Sequence, residues 1–373
     1  MKIQRTRTPA TVALTNLLCA ILLSCSSFGG EHSDSDQERF ALSPRYNPEL
    51  HRFENVDQEP MDRMKDEVLR FSTIVKTLME GEDRFPGTPL PTVQPNLDSF
   101  LAAGSDPAII WLGHSMFLIR IGGQTLLLDP VFGNAGPFPF IGSRFQDSVV
   151  TLEELPPVDV VLISHDHYDH LEMDTIRALA EQPTEFIVPL GIATHLQYWG
   201  ISKERIHELD WWDEHTIGEL KIIMTPAQHY SGRGGLLKND TLWASFALKS
   251  ARHALYFSGD SGYGPHFKEI GRRLGPFDLA FMENGQYHSV SRSVHMHPED
   301  VILATRDVRA RILFPIHWGV FALGRHAWYE PPTRITRLAA DADIPIYIPR
   351  IGETVGLDVQ FKTEDWWSAL RAR

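Results

Sequence analysis

The chain has 373 residues, of which 43% are apolar and 22% charged, and its formal net charge is -13. A chain of this length can bury a large core and form one big domain or two ordinary ones. The negative charge argues against a nucleic-acid-binding surface, although it permits a locally basic pocket. Only two cysteines occur, Cys19 and Cys25, and both lie near the N-terminus.

The first 24 residues are typical of a lipoprotein signal peptide. Three basic residues precede an apolar run over 10–23, which is too short for a comfortable membrane span. Leu22-Leu23-Ser24-Cys25 resembles a bacterial lipobox, which implies lipidation of Cys25, and Ser26 after it favours the outer membrane. We therefore expect a lipid-anchored protein of the bacterial cell envelope that faces the periplasm. An ordinary signal peptide and an uncleaved anchor are the alternatives.

Residues 25–104 are expected to connect this anchor to a folded domain. Residues 25–60 are polar with little periodicity, which predicts a tether. Residues 61–104 are predicted to form a helix that ends at Gly81 and a stiff connector with four prolines. We expect the helix to pack on the domain rather than to bind a partner or lipid. Its apolar face consists of Met61, Met64, Val68, Phe71, Val75 and Leu78.

Residues 105–373 alternate short apolar strands with loops and helices, which predicts one layered α/β domain. The predicted helices are Met173–Glu181, Pro265–Leu274 and Pro298–Arg306. The predicted strands are Ile109–Leu112, Met116–Ile121, Thr125–Leu128, Val158–Ile163, Phe186–Pro189, Lys221–Thr225, Leu242–Leu248, Ala254–Phe257, Leu279–Met282, Ile312–Pro315 and Ile346–Ile348.

The predicted strand Val158–Ile163 runs directly into a stretch with four metal-binding side chains in six residues. Three further predicted strands, far apart in the sequence, also lead to a histidine or an aspartate. Because strand ends meet at one edge of a sheet, these side chains can converge. The seven candidate ligands are His165, His167, Asp169, His170, His229, Asp260 and His317.

Seven ligands are too many for one tetrahedral zinc ion, and they suit two metal ions that share a carboxylate. If Cys25 begins the mature protein, no other cysteine can supply a thiolate ligand. Imidazole and carboxylate donors favour zinc, with iron or manganese as alternatives. The expected cofactors are therefore two Zn²⁺ ions.

The pattern His165-x-His167-x-Asp169-His170, followed by a distant His, Asp and His, resembles the metal-binding motif of the metallo-β-lactamase superfamily. The resemblance implies a four-layer αββα sandwich with the metal site at one edge of the two sheets. By the same resemblance, three histidines hold one metal, a second set holds the other, and one aspartate bridges them. These are, in turn, His165, His167 and His229; Asp169, His170 and His317; and Asp260.

Further motifs lie between about Leu90 and Leu357, namely Trp111–Ser115, Leu155–Asp159, Val188–Gly191, Glu208–Trp212, Thr225–His229, Ser258–Tyr263, Ile270–Asp278, His317–Leu323 and Glu330–Pro332. Together they resemble the N-acyl-phosphatidylethanolamine phospholipase D branch of that superfamily. The resemblance implies a phosphodiesterase that releases an N-acylethanolamine and a phosphatidic acid. A lactonase or other ester or amide hydrolase, and a non-catalytic envelope protein, are the alternatives. The implied partners are a phospholipid or another small ester, and the membrane through the N-terminal lipid; the oligomeric state stays open.

Individual roles are expected for residues in and around the site. Asp169 and Asp260 are expected to be catalytic as well as metal ligands, with Asp260 moving a proton towards the leaving group. His295 is expected to donate a proton or contact the substrate; the alternative is a residue that begins a helix. Asp129 and His114 are expected to hold the second ring N–H of ligating histidines, and the alternative is a turn or capping role.

The remaining polar side chains are expected to lie outside the chemistry. Tyr168 is expected to line the site or simply to pack. Arg233 and Lys238, in the loop Ser231–Asp240, are expected to be solvated, with a phosphate contact as the alternative. The remaining histidines are expected at the surface, namely His207, His215, His253 and His266.

Overall fold

The structure is a computed structural model that describes residues 27–68, 70, 81–102, 106–138, 141–233, 238–358 and 362–371. The predicted signal peptide, Cys25 and residues 71–80 of the predicted helix lie outside these ranges. The strands within them are β1 (Tyr46–Asn47), β2 (Arg52–Phe53), β3 (Ala108–Trp111), β4 (Phe117–Ile121), β5 (Gln124–Leu128), β6 (Val160–Leu162), β7 (Glu185–Pro189), β8 (Ile206–Leu209), β9 (Glu214–Ile217), β10 (Leu220–Thr225), β11 (Ser245–Lys249), β12 (Ala254–Phe257), β13 (Phe277–Glu283), β14 (Ala310–Ile316) and β15 (Thr354–Gly356).

Two large mixed sheets form the body of the domain. One has seven strands in the order β15-β3-β4-β5-β6-β7-β8, and the other has six in the order β14-β13-β12-β11-β10-β9. Strands β5 to β8 are parallel to one another, as are β12 to β14. Their apolar sequences suit parallel strands that are covered on both faces.

Helices cover the outer faces of the two sheets. Alternate residues of the seven-stranded sheet point in opposite directions: Leu126 and Leu128 pack between the sheets, whereas Leu127 packs with Ile176 and Leu196 of the outer helices. The four layers are therefore helix, sheet, sheet and helix. The helices are α1 (Asp34–Phe40), α2 (Glu59–Val68), α3 (Leu97–Ala102), α4 (Met173–Leu179), α5 (Ile192–Tyr198), α6 (His266–Arg273), α7 (Pro298–Asp307) and α8 (Glu330–Asp341).

The layered α/β prediction is confirmed, and the three predicted helices correspond to α4, α6 and α7 within two residues at each end. The predicted strand Ile346–Ile348 is wrong, because this segment contributes a single bridge, between Ile346 and Leu313. Strands β8, β9 and β15 escaped prediction because they are short and only partly buried, so their sequences do not alternate clearly.

The predicted tether over residues 25–60 is wrong for its described part, residues 27–60. This segment folds against the domain: Phe40, Tyr46 and Phe53 are buried and belong to the main core. Their rings pack 5.1–5.7 Å apart in mutual contact. The polar composition of the segment suggested a tether because these three aromatic residues are widely spaced in the sequence.

Helix α2 begins the predicted helix and packs as expected, with Met61 fully buried and Met64 nearly so. Both methionines form one buried group with Val294, and Tyr230 packs against this group. Among the described residues, no helix is long and apolar enough to span a bilayer.

Candidate metal centre

The stretch that follows β6 forms a tight turn at the edge of the seven-stranded sheet. The backbone N–H groups of His170 and Leu171 both donate to the carbonyl of His167, at 3.0 and 2.8 Å. This turn points His165, His167, Asp169 and His170 to one side, and His165 and His170 are almost completely buried. Period-2 alternation ends here, so neighbouring side chains can share one cluster.

The other three predicted ligands arrive from the six-stranded sheet. His229 follows β10, Asp260 follows β12 and His317 follows β14, and each is at most 3% exposed. The structure thus brings all seven residues together at one edge of the two sheets.

The first group of donors contains three imidazole nitrogens. His165 Nε2 lies 2.9 Å from His167 Nδ1, and His229 Nε2 lies 3.3 Å from the same atom. Donors around a tetrahedral zinc ion lie about 3.3 Å apart when each bond is near 2.0 Å. The spacing therefore suits one small metal ion.

The second group combines two imidazoles with a carboxylate. His317 Nε2 lies 3.2 Å from Asp169 Oδ2 and 3.4 Å from His170 Nε2. His170 Nε2 lies 3.4 Å from Asp169 Oδ2. This group has the same spacing as the first.

Asp260 lies between the two groups. Its Oδ2 is 3.3 Å from the Nε2 atoms of both His170 and His317. The same oxygen is 3.9 Å from His165 Nε2 and 3.8 Å from His229 Nε2. One carboxylate oxygen is therefore within reach of ligands from both groups.

The buried carboxylates of the cluster keep a negative charge that a cation beside them would stabilise. Burial opposes ionisation of Asp260, but His170 and His317 hold its pKa well below the usual range. Burial likewise lowers the pKa of His317, but Asp260 and Asp169 raise it to about 10. The carboxylates thus stay ionised in a buried place and require positive charge beside them.

The three-histidine group has the opposite character. Burial and the neighbouring imidazoles hold the pKa of His165 well below its usual range, and burial does the same for His229. Neutral imidazoles keep a lone pair for a metal. Asp260 Oδ1 is buried and has no hydrogen-bond partner among the described residues. Donor chemistry, spacing and this unpaired oxygen all fit metal ions held in the cluster.

Second hydrogen bonds fix the orientation of the histidine rings. Asp129 Oδ2 pairs with His170 Nδ1 at 2.7 Å, and its Oδ1 accepts from the Ser164 backbone N–H at 2.7 Å. His229 Nδ1 pairs with the Val294 carbonyl at 3.0 Å. Such contacts set which ring nitrogen faces a metal.

His114 is close to the cluster, but its Nε2 pairs with a carboxylate and not with the ring nitrogen of a histidine. Its Nε2 lies 2.9 Å from Asp169 Oδ2. Burial and His317 lower its pKa to about 3, so the ring is neutral. It donates its N–H to Asp169 and so orients that carboxylate.

His295 lies at the edge of the cluster and is paired with Glu283, which the sequence analysis missed. Glu283 is fully buried, accepts from the Ser261 backbone N–H at 2.6 Å, and makes a short contact with His295 Nδ1. The same carboxylate lies 3.4 Å from His317 Nδ1. The sequence contained a signal that could have identified Glu283, because it is a carboxylate at the end of the apolar strand β13.

The expectation that Arg233 is solvated is wrong. Its guanidinium is buried and donates to the carbonyls of Asp166 and Leu171, which bracket the metal-binding turn. It also stacks 4.1 Å from the ring of Tyr168, whose hydroxyl donates to the Arg233 carbonyl. Tyr168 therefore packs, and the loop folds back over the turn because the planar guanidinium satisfies several carbonyls at once.

The histidines expected at the surface differ among themselves. His266 is buried and its Nε2 pairs with the Ser261 hydroxyl, so that expectation is wrong for it. His207, His215 and His253 are partly exposed. Lys238 is exposed, as expected.

Comparison with known proteins identifies relatives along most of the chain. The model of a β-lactamase superfamily domain matches residues 124–318. An uncharacterised protein of Mycobacterium tuberculosis is 38% identical over 84% of this chain and 85% of its own length. The N-acyl-phosphatidylethanolamine-hydrolyzing phospholipase D 1 of Caenorhabditis elegans is 33% identical over 61% and 68%. The outer membrane protein RomA of Klebsiella pneumoniae is 52% identical over 27% and 76%.

A solved structure supports the fold. A metallo hydrolase from the archaeon Ignicoccus hospitalis superposes with a TM-score of 0.54 and 22% identity, covering 69% of this chain and 99% of that one. Together with the two-sheet sandwich and the edge cluster, these matches show that the chain belongs to the β-lactamase superfamily and is a metal-dependent hydrolase of that family, with N-acyl-phosphatidylethanolamine-hydrolyzing enzymes among its relatives.

Proposed function

We propose that this hydrolase is a dinuclear zinc phosphodiesterase of phospholipase D type that acts on N-acyl-phosphatidylethanolamine-like lipids. The observation that carries the proposal is the position of Asp260 Oδ2 between two donor groups, each spaced for one ion. The similarity to the Caenorhabditis elegans phospholipase D supports the substrate class.

Each ion would have its own ligands in this arrangement. One ion would bind His165, His167 and His229, and the other Asp169, His170 and His317, with Asp260 shared. Metal ions held there supply Lewis acidity and lower the pKa of bound water to about 7. Imidazole and carboxylate donors favour zinc, and iron or manganese are the alternatives.

The chain's own residues move the protons. Water attacks phosphorus, and the bond from phosphorus to the ethanolamine oxygen breaks. The unpaired Oδ1 of Asp260 is available to take a proton from the water. His295, whose Nδ1 is held by Glu283, gives a proton from Nε2 to the leaving oxygen. The products are an N-acylethanolamine and a phosphatidic acid.

An apolar group beside the site supports a lipid substrate. Met61 and Met64 of α2 form a buried group with Val294, which precedes His295 in the chain, and Tyr230 packs on both His167 and His229 as well as on this group. The Tyr230 ring centroid is 4.5 Å from that of His167. Methionine side chains adapt to ligands of varied shape, as acyl chains require.

We also propose that Cys25 carries the lipid anchor and that the protein lies at the outer membrane of a bacterial cell, facing the periplasm. The lipobox-like sequence and Ser26 support this location. The similarity to the outer membrane protein RomA supports it independently.

The test is product analysis by mass spectrometry after incubation of the purified full chain with a lipid mixture that contains N-acyl-phosphatidylethanolamine. We expect N-acylethanolamine from the wild type. His167→Ala should lose metal and at least about 100-fold of this activity, because it removes a ligand of one ion. His253→Asn changes a histidine that pairs with Asp278 and lies away from the cluster, so this variant should keep its metal and its activity.

Lactones and nitrocefin serve as competing substrates in the same assay. Turnover of a lactone alone would contradict the phosphodiesterase and favour a lactonase on the same metal core. Wild-type rates in His167→Ala would contradict the assignment of the site itself.

A further inference from the structure

A second cluster of metal-binding side chains lies away from the centre described above. Glu185, His207 and His215 each offer one donor atom, and the three atoms lie within 4.8 Å of one another. His207 Nε2 is 2.9 Å from Glu185 Oε2, and His215 Nε2 is 3.5 Å from the same oxygen. These distances bracket the spacing of about 3.3 Å expected between donors on a tetrahedral zinc ion.

The cluster joins the two sheets. Glu185 begins β7 and His207 lies on β8, the last strand of the seven-stranded sheet. His215 lies on β9, the last strand of the six-stranded sheet. Strands β8 and β9 are consecutive in the chain, and the short loop 210–213 between them crosses from one sheet to the other. The three side chains therefore connect the open edges of the sandwich.

This position is at the opposite end of the strands from the metal centre. Glu185 pairs with Val160, the first residue of β6, whereas His165 comes after the last residue of that strand. His215 pairs with Ile222 near the start of β10, whereas His229 comes after its end. The two clusters cannot share a ligand.

An ordinary ion pair explains only part of this arrangement. One carboxylate oxygen needs one protonated imidazole, yet two rings lie against it with their centroids 4.1 Å apart and tilted by 33°. Two protonated rings at that distance would repel each other. Burial and His207 lower the pKa of His215, so its ring is neutral and keeps a lone pair.

We propose that Glu185, His207 and His215 form a site for a divalent transition metal ion of the zinc class, which ties the edge of one sheet to the edge of the other. Two imidazoles and a carboxylate are a common ligand set for zinc with one position left for water. The three side chains are 25–40% exposed, so an ion and its water can reach the site from solvent. The proposal is independent of the proposed function.

The test measures zinc in the detergent-solubilised full chain. The protein is equilibrated with free zinc buffered at about micromolar levels, a range that structural sites fill readily, and bound zinc is counted by mass spectrometry. We expect His215→Asn and Glu185→Gln to carry one zinc ion fewer per chain than the wild type. His253→Asn is the matched control, because among the described residues His253 pairs with a single carboxylate, Asp278, and with no second histidine.

A second measurement separates this site from the metal centre and from misfolding. In a His167→Ala background, zinc should raise the melting temperature by several degrees, since an ion that binds only the folded state stabilises it. Adding His215→Asn should make that rise clearly smaller, since only the ion that remains at the metal centre then contributes, while the far-ultraviolet circular dichroism stays unchanged. Equal zinc content in wild type and His215→Asn, or binding that requires millimolar zinc, would overturn the proposal.

Discussion

Three residues at the centre adopt a backbone conformation that side chains usually avoid. His114, Asp129 and His317 have φ of 54°, 40° and 70°. Such conformations cost about 1–3 kcal/mol each and persist where the surroundings fix them. Here the His114 N–H donates to the Trp318 carbonyl at 2.9 Å, and the His317 N–H donates to the His114 carbonyl at 3.0 Å. The strain aims each side chain into the cluster.

Glu283, which does not belong to the predicted ligand set, contacts two histidines of the centre at once. Its buried carboxylate contacts the Nδ1 atoms of His295 and His317 and accepts from the Ser261 N–H. It therefore orients a proposed proton donor and a proposed ligand together, and its charge keeps protons on their Nδ1 atoms. This leaves the Nε2 atoms free for chemistry.

Glu283→Gln should lower the turnover rate and the affinity of the centre for zinc, each by about 10- to 100-fold. The zinc content of the variant should fall accordingly. The amide keeps the volume, but its NH2 group must face either the Ser261 backbone N–H or the two imidazole Nδ1 atoms, and these donors need an acceptor. Turnover on the lipid and bound zinc are measured on the same samples. Glu269→Gln is the control, since Glu269 pairs with Arg272 and Arg273 on the surface of α6. Wild-type rate and zinc content in Glu283→Gln would show that it does not orient the site.

At the scale of elements, the sequence predicts where strands end, but it does not predict hydrogen bonds between segments that are far apart in the chain. Val160–Leu162 is apolar and begins with two β-branched valines, so both the strand and the point where His165 leaves it follow from the sequence. The support given to His229 by Asn55 does not, because 174 residues separate them and only the folded chain brings them together. The same applies to Arg233, whose polarity predicted a solvated side chain.

Asn55 connects the N-terminal segment to a proposed metal ligand. Its Nδ2 donates to the His229 carbonyl at 2.9 Å, and its Oδ1 accepts from the His229 N–H at 3.1 Å. The same oxygen accepts from Trp243 Nε1 at 3.1 Å. The segment predicted as a tether is thus part of the wall that positions His229.

Asn55→Ala should destabilise the protein by about 1–3 kcal/mol, because it leaves the buried His229 backbone groups without partners. It should also weaken zinc binding at the centre. Denaturant unfolding and zinc content provide the two measurements. Asn47→Ala, which removes hydrogen bonds to the backbone N–H groups of Glu49 and Leu50 in the exposed turn, should cost less than about 1 kcal/mol. Equal costs for the two variants would contradict the role of Asn55.

At the scale of the whole molecule, the packed N-terminal segment changes how an anchored protein would lie on its membrane. The Ser27 carbonyl accepts from Arg233 Nε at 3.0 Å and from Nη2 at 2.8 Å. Arg233 in turn holds the carbonyls of Asp166 and Leu171 at the metal-binding turn. A lipid on Cys25 would be two residues, at most about 7 Å of chain, from Ser27. The catalytic domain would therefore rest at the bilayer surface instead of hanging from a long tether.

Cys25→Ala should release the protein from the membrane fraction, because the proposed anchor is the acylated cysteine. Several acyl chains bind a bilayer far more tightly than protein contacts at its surface do. Fractionation of cells followed by immunoblotting measures the shift. Cys19→Ala, which changes the other cysteine of the N-terminal segment, is the matched control and should leave the protein in the membrane fraction. The released protein should keep its zinc, since Arg233 still holds Ser27, but should hydrolyse lipid in vesicles more slowly than lipid in detergent micelles. A Cys25→Ala protein that stays membrane-bound would contradict the anchor.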